Sequence, residues 1–417
     1  MDRRKALGTI GGLAALAVSG DSSPALAAEP SLSISLDEVT ADFPRKQDFD
    51  LPVGHTYINC AYTHPLPIGA VASVRRHLDR RSKPDADLPP EPTVNLKEEF
   101  AALINAKPSE ISYITSTSVG ENLIVNGLGI RKFDGNVVTD ALHFDGALVH
   151  LNELKKQGLD LRVVMPKDGR IDMRDMERVV DKKTKLVEVS LVAMYNGFQH
   201  DLKKVVDLAH AHGAYVYADI VQAAGAVPID VRASGVDFCA CSSFKWLMSD
   251  FGAGFLYVRE DLLDRVVSRT HIGYHSTTEM DVHLSPFDPQ RSQPLTWTMR
   301  GDVTGHFETG STGQPGEAAL RYSLPYIRKL GVENIQAYRQ PMLKRIREGM
   351  TKLGFTPATP DGTTSPLITF AMKDGAAVAE KLKRARVNAR VADYWIRLSP
   401  SVFNDLADVE RLLEALK

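Results

Sequence analysis

The chain has 417 residues, 43% of them hydrophobic and 24% charged, with a net charge of -2. That length supports a large core, or one large and one small domain. The near-neutral balance offers no basic surplus for nucleic acid, and no charge block or low-complexity run marks a disordered tail, so small-molecule chemistry is the default.

The first residues read as an address. Arg3 and Arg4 precede a mildly apolar stretch from Ala6 to Val18, and Ala25-Leu26-Ala27 offers a small-x-small cleavage site. This resembles a bacterial twin-arginine export signal, so residues 1–27 are expected to be removed and the protein to be periplasmic or secreted by the twin-arginine export machinery. The stretch is too short and too glycine-rich to span a bilayer, so no stable membrane anchor is expected. Residues 28–70 follow as an N-terminal arm, polar as far as 56, and the compact chain opens at Tyr57-Ile58-Asn59-Cys60-Ala61. Pro84 to Pro92 is rich in proline and acid and reads as a loop.

Residues 71–315 carry the large domain. Helices over 97–106, 119–129, 145–157, 172–181 and 201–212 alternate with strands over 111–115, 136–139, 160–164, 185–191, 214–218 and 236–241. The helix from 201 is the clearest: Leu202, Val205, Val206 and Ala209 recur at helical spacing, Asp201 can cap its start and Gly213 can end it. Strands separated by helical crossovers imply an α/β fold with a mainly parallel sheet buried on both faces, whose ligands sit beyond the carboxyl ends of the strands. Residues 259–310, with Pro286, Pro289 and Pro294, read as loops reaching over a site. Residues 316–417 form a smaller α/β domain, with helices over 332–353, 375–385 and 405–416 and strands over 366–372 and 389–398.

Cys60, Cys239 and Cys241 are too few for a disulfide scaffold, and the last two share one face of a strand, so all three read as small buried residues. No histidine and cysteine spacing suggests a metal site.

Lys245 is a lone cation between an apolar strand and a glycine-bearing turn. Desolvation in such a place lowers a lysine's pKa, and the neutral amine can form an imine with an aldehyde. Asp219 ends the apolar run from Ala214 to Ala218, where a carboxylate needs a cation or a donor. The two are separated by about one strand, a crossover and the next strand, so both can open onto one sheet edge. From Ile114 to Asn122, a strand meets a helix through Thr115, Ser116, Thr117 and Ser118, hydroxyls and free N–H groups suited to a phosphate.

Over residues 55–417 the chain resembles the class V aminotransferase family of fold-type-I pyridoxal phosphate enzymes, which includes cysteine desulfurases, isopenicillin N epimerases and kynureninases. The segments that carry the likeness are Ala218-Asp219-Ile220-Val221-Gln222-Ala223, Ser242-Ser243-Phe244-Lys245-Trp246-Leu247 and Gly252-Ala253-Gly254-Phe255-Leu256-Tyr257-Val258. The resemblance implies a large domain on a mainly parallel seven-stranded sheet, a smaller C-terminal α/β domain and pyridoxal 5'-phosphate as cofactor. It implies Lys245 as the Schiff-base lysine and proton shuttle, Asp219 against the pyridine nitrogen, Gln222 at the ring hydroxyl and His143 stacked on the ring. Thr117, Ser118 and Ser242 are implied for the phosphate, and Ser311 for the phosphate of a neighbouring subunit, hence a homodimer. Arg397 matches the arginine that grips a substrate carboxylate.

Three departures narrow the reading. Met194 stands where relatives often carry Asn, Phe244 stands where desulfurases carry His, and no cysteine follows Cys241, so the persulfide-forming cysteine of desulfurases is absent. The reading is an exported enzyme that transaminates or epimerises an amino acid or an amine-bearing metabolite. One alternative is a C–S or other side-chain lyase without a nucleophilic cysteine; another is a non-catalytic ligand-binding protein of the same fold, the role Met194 suits best.

Overall fold

The computed structural model describes residues 35–84, 92–282, 285–289 and 295–417. The export signal expected over 1–27 lies outside the described residues, as does most of the loop expected from Pro84 to Pro92.

Seven apolar runs pair into one sheet. They are β1 (Ile111–Ile114), β2 (Asn136–Asp140), β3 (Asp160–Val164), β4 (Thr184–Ser190), β5 (Tyr215–Asp219), β6 (Phe238–Ser242) and β7 (Gly254–Val258), in the order β1-β7-β6-β5-β4-β2-β3. Every neighbouring pair from β6 to β3 is parallel, while β7 runs against both β6 and β1, so the sheet is mixed but mainly parallel. Alternate residues of a strand point to opposite faces. Val138, Val187, Val216, Cys239 and Phe255 therefore enter one core, and Val137, Leu186, Tyr217, Ala240 and Leu256 the other. Burial on both faces is why these strands read as continuous apolar runs. Cys239 and Cys241 fall in the same core, and with Cys60 they are buried and free, as expected.

Parallel strands bring their carboxyl ends to one edge. Asp140, Ser190, Asp219 and Ser242 end β2, β4, β5 and β6, and Ser190 lies directly opposite Asp219 in the register. Just past β1, the helix Thr117–Gly127 starts beside the same edge.

The helix Leu202–Ala211 forms as its spacing dictates, with the Asp201 side chain accepting from the Lys204 N–H at 3.3 Å and Gly213 at a φ of 79° beyond its end. Other elements differ from expectation. The helix over 172–181 is little more than one turn, Met173–Glu177. The loops expected over 259–310 contain an exposed antiparallel hairpin, Thr277–Asp281 with Thr296–Met299. The strand over 389–398 is broken into Arg390–Val391 and Trp395–Leu398, which fold back on each other and place Arg390 opposite Arg397.

Two helices were hidden from the pattern. Gln314–Leu330 carries Pro325 in its interior, and Ile68–Ser82 is rich in arginine with small residues on its buried side. They pack on one another so closely that a Cβ at Gly69 would lie 2.1 Å from Tyr322 Cε2, a fit that only glycine allows. The burial of Ala318, Ala319, Leu324 and Ile327 offsets the backbone bond lost at the proline.

The C-terminal part has its own four-stranded antiparallel sheet, and Ile346, Met350, Phe370, Ile396, Leu398 and Leu412 form a separate core there. No helix among the described residues is long and apolar enough to cross a membrane.

Candidate active site

A cavity of about 160 Å³ opens at the carboxyl edge of the large sheet, and Thr117, Ser118, Asp219, Gln222, Ser242 and Lys245 all line it. The sequence places these residues far apart; the crossovers bring them together. Lys245 follows β6 in a turn, half-buried, with Nζ 5.6 Å from the centre of the Phe244 ring. Loss of water around its amine holds its pKa down to about 8, against the pull of Asp219 and with the help of Arg397. Asp219 is buried, and one of its oxygens accepts from the Val221 N–H at 2.8 Å. Burial pushes its pKa up, opposed by His143 and Lys245.

Gln222 is locked in one orientation. The Trp246 indole N–H, which can only donate, lies 2.9 Å from Gln222 Oε1, so Nε2 is the opposite end and donates to the Ala61 carbonyl at 2.9 Å. The second Nε2 hydrogen remains for a ligand. Trp246 and Ala61 were not singled out by sequence, because neither carries chemistry of its own.

At the other end of the cavity the start of the helix Thr117–Gly127 is tied to the end of β6. Ser242 Oγ accepts from the Thr117 N–H at 3.0 Å and lies 2.9 Å from Thr117 Oγ1, which in turn accepts from the Ser242 N–H at 3.1 Å. Ser116, Thr117, Ser118 and Ser242 line the cavity at the start of that helix, where the backbone favours an anion. Ser118 is exposed, and Ser116 caps the helix through the Val119 N–H at 3.3 Å.

His143, expected on the cofactor ring, is only 3% exposed and is not among the residues lining the cavity. Its Nδ1 lies 2.9 Å from Ser190 Oγ, and its Nε2 is buried without a partner. Asp140 shapes the loop that carries it, accepting from the Leu142 N–H at 2.8 Å and pairing with His200 Nε2 at 3.0 Å. Ser190 lines the cavity and was missed in the sequence; a serine ending an apolar strand was the available signal.

Arg397 is 4% exposed and donates to the Met194 carbonyl at 2.7 Å, while its Nε is buried without a partner. No carboxylate among the described residues pairs with it, and it is not among the residues lining the cavity. Burial first, and Arg390 second, push its pKa down to about 10. Met194 lines the cavity. The neighbouring Asn196 does not replace the missing amide, for it binds the Gly169 carbonyl and the Phe198 N–H within its own turn. Phe244, in place of a histidine, stacks on Phe251 at 4.2 Å. Ser311 is not among the residues lining the cavity; it is exposed and bonded to the Tyr274 hydroxyl at 2.7 Å.

The model of the family described as aminotransferase class-V matches residues 91–412. The chain belongs to the class V aminotransferase family. A cysteine desulfurase of Shigella sonnei is 29% identical over 326 residues, covering 75% of this chain and 76% of the relative. A probable cysteine desulfurase of Methanothermobacter thermautotrophicus is 28% identical over 316 residues, covering 74% and 75%. The apo structure of a cysteine desulfurase from Thermococcus onnurineus NA1 superposes with a TM-score of 0.76 at 23% identity, over 89% of this chain and 97% of that one, and shows the shared fold.

The fold is thus that of the fold-type-I pyridoxal phosphate enzymes, and pyridoxal phosphate is the cofactor of this class V chain. The residues fit it. A desolvated amine suits an aldehyde, a buried carboxylate suits a pyridine nitrogen, and a hydroxyl-bearing helix start suits a phosphate.

Proposed function

We propose that this class V enzyme binds an amino acid through Arg397 and moves the proton next to its amine with Lys245, as a transaminase or an epimerase. The observation that carries the reading is a desolvated lysine amine beside a buried carboxylate, with a buried arginine nearby that has no carboxylate of its own. Bound pyridoxal phosphate supplies the electron sink for the carbon that loses its proton. Asp219 would meet the pyridine nitrogen, the second Nε2 hydrogen of Gln222 the ring hydroxyl, and His143 would lie against the ring. Thr117, Ser118 and Ser242 would hold the phosphate. Ser311 serves the phosphate of a neighbouring subunit, which requires a homodimer; a mass of one chain by light scattering would overturn that part.

Arg397 orients the substrate carboxylate with its two-pronged guanidinium. Lys245, near pKa 8, holds the proton and returns it. Return to the same carbon from the opposite side epimerises; delivery elsewhere transaminates. The experiment is product analysis with a panel of amino acids and larger amines in deuterated water. Deuterium at the α-carbon, inverted product or keto acid supports the reading, and none of these from any amine overturns it in favour of ligand binding alone. Arg397→Ala is expected to raise KM for a carboxylate substrate about 30-fold or more, since removing a buried charged partner costs about 2 kcal/mol or more. A KM within threefold of wild type would exclude Arg397 as the carboxylate site.

C–S cleavage is a second reading, favoured by the relatives named cysteine desulfurase. No cysteine lines the cavity among the described residues, and burial pushes the thiols of Cys60, Cys239 and Cys241 up, away from thiolate character. Sulfur would then leave without a protein persulfide. Sulfide release from cysteine or cystine in the same panel decides for it.

Export rests on Arg3, Arg4 and the stretch behind them. The double substitution R3K/R4K is expected to shift the full chain from the periplasm to the cytoplasm on cell fractionation. An unchanged distribution would remove the twin-arginine reading.

A further inference from the structure

Beside the lysine cavity lies a second and larger one. It is a groove of about 560 Å³ between the start of the compact chain and the C-terminal sheet, lined by His55 and Tyr62 on one side and by Lys383, Arg386 and Arg390 on the other. Among the described residues no acidic side chain lines it. Among the described residues no carboxylate pairs with Lys383, Arg386 or Arg390. Lys383, Arg386 and Arg390 are exposed, and three like charges gathered in one concave place repel one another and favour an anion between them. Tyr62 holds one of them, with the Arg390 guanidinium 5.5 Å from its ring centre.

The groove shares no lining residue with the lysine cavity, but two features relate it to residues of the site. Arg390 lies directly opposite Arg397 across the antiparallel pair Arg390–Val391 and Trp395–Leu398. Directly opposed side chains share one face of the sheet, with Cβ atoms about 5 Å apart, so the groove begins about one side chain's width from the arginine proposed for the substrate carboxylate. On the other side, Tyr62 follows Ala61, whose carbonyl fixes Gln222 in the lysine cavity.

We propose that this groove receives a second carboxylate of the substrate, so that the enzyme takes an α-amino acid whose side chain ends in an acid. The amine reaches Lys245, the first carboxylate meets Arg397, and the distal carboxylate lies against Arg390 and Arg386. Norleucine and other neutral amino acids of similar length lack the last contact. The amine at Lys245 and the first carboxylate at Arg397 rest on the functional reading above; the distal carboxylate in the groove does not.

The test uses the cofactor-loaded wild type and the double variant R386Q/R390Q. In a spectral titration, 2-aminopimelate is expected to bind wild type about 10-fold more tightly than norleucine at low salt, and the advantage to shrink as ionic strength rises. In the double variant the advantage is expected to vanish while norleucine binding stays within about twofold. Isothermal titration with pimelate against hexanoate reads the groove without any amine. If no amino acid shifts the spectrum of wild type but pimelate binds it more tightly than hexanoate and loses that in the variant, the functional reading fails and the groove stands. Equal binding of pimelate and hexanoate to wild type, or an acid preference that survives R386Q/R390Q, overturns the groove.

Discussion

The Lys245→Ala variant is expected to fold, to hold pyridoxal phosphate only reversibly and to lose turnover by about 10³-fold or more. Lys245 is the one lysine lining the cavity, and its backbone turn is held by neighbours rather than by its own side chain, for Met248 N–H bonds the Lys245 carbonyl at 2.9 Å. Borohydride followed by peptide mass spectrometry should find the cofactor fixed to Lys245 in wild type and to nothing in the variant. An adduct on another lysine, or turnover near wild type, would remove Lys245 from its role. The same amine sets a pH profile. With its pKa held at about 8 by burial, Lys245 is charged below that value and neutral above it. Capture of the cofactor by the cofactor-free protein should therefore speed up as pH rises through about 8 and level off beyond. A rise centred near the ordinary 10.5 would mean that the amine is hydrated.

Asp219→Asn carries the second large effect. The carboxylate is buried, and its charge pulls the Lys245 pKa upward against the effect of burial. Removing the buried charge proposed to meet the pyridine nitrogen costs about 3 kcal/mol or more, so the affinity for pyridoxal phosphate is expected to fall by about 10²-fold or more. The sign of the second consequence follows from the same pairing. Without the carboxylate the charged amine loses its support, so the midpoint of cofactor capture moves below about 8. A spectral titration and the capture profile read both. Affinity within threefold of wild type together with an unmoved midpoint would show that Asp219 serves the fold alone.

Much of the fold was legible. Strands buried on both faces must be apolar throughout, and crossover helices must be amphipathic, so β2 to β6 and the helix Leu202–Ala211 stand out by composition and spacing. The helices Ile68–Ser82 and Gln314–Leu330 did not, because a glycine pressed on Tyr322 and a proline inside a helix are tolerable only through packing with distant residues. In the site, Lys245, Asp219, Thr117 and Ser118 stood out because each breaks a local rule, a polar group at the end of an apolar strand or a hydroxyl run at a helix start, whereas Gln222 and Ser242 came from the family resemblance alone. Ser190 follows the same rule but was lost in the apolar run before it. Trp246 breaks no rule at all.

By itself, then, the chain's order of residues determined which groups could do chemistry and on which strand ends they would stand, since hydrophobic period and helix capping are short-range effects. Only the tertiary structure decided how those groups face one another. Trp246 turns Gln222, Ser190 holds His143, and the fold-back of Arg390–Val391 on Trp395–Leu398 sets Arg390 against Arg397. Each is a contact set by sheet register and close packing between parts of the chain that no local preference connects.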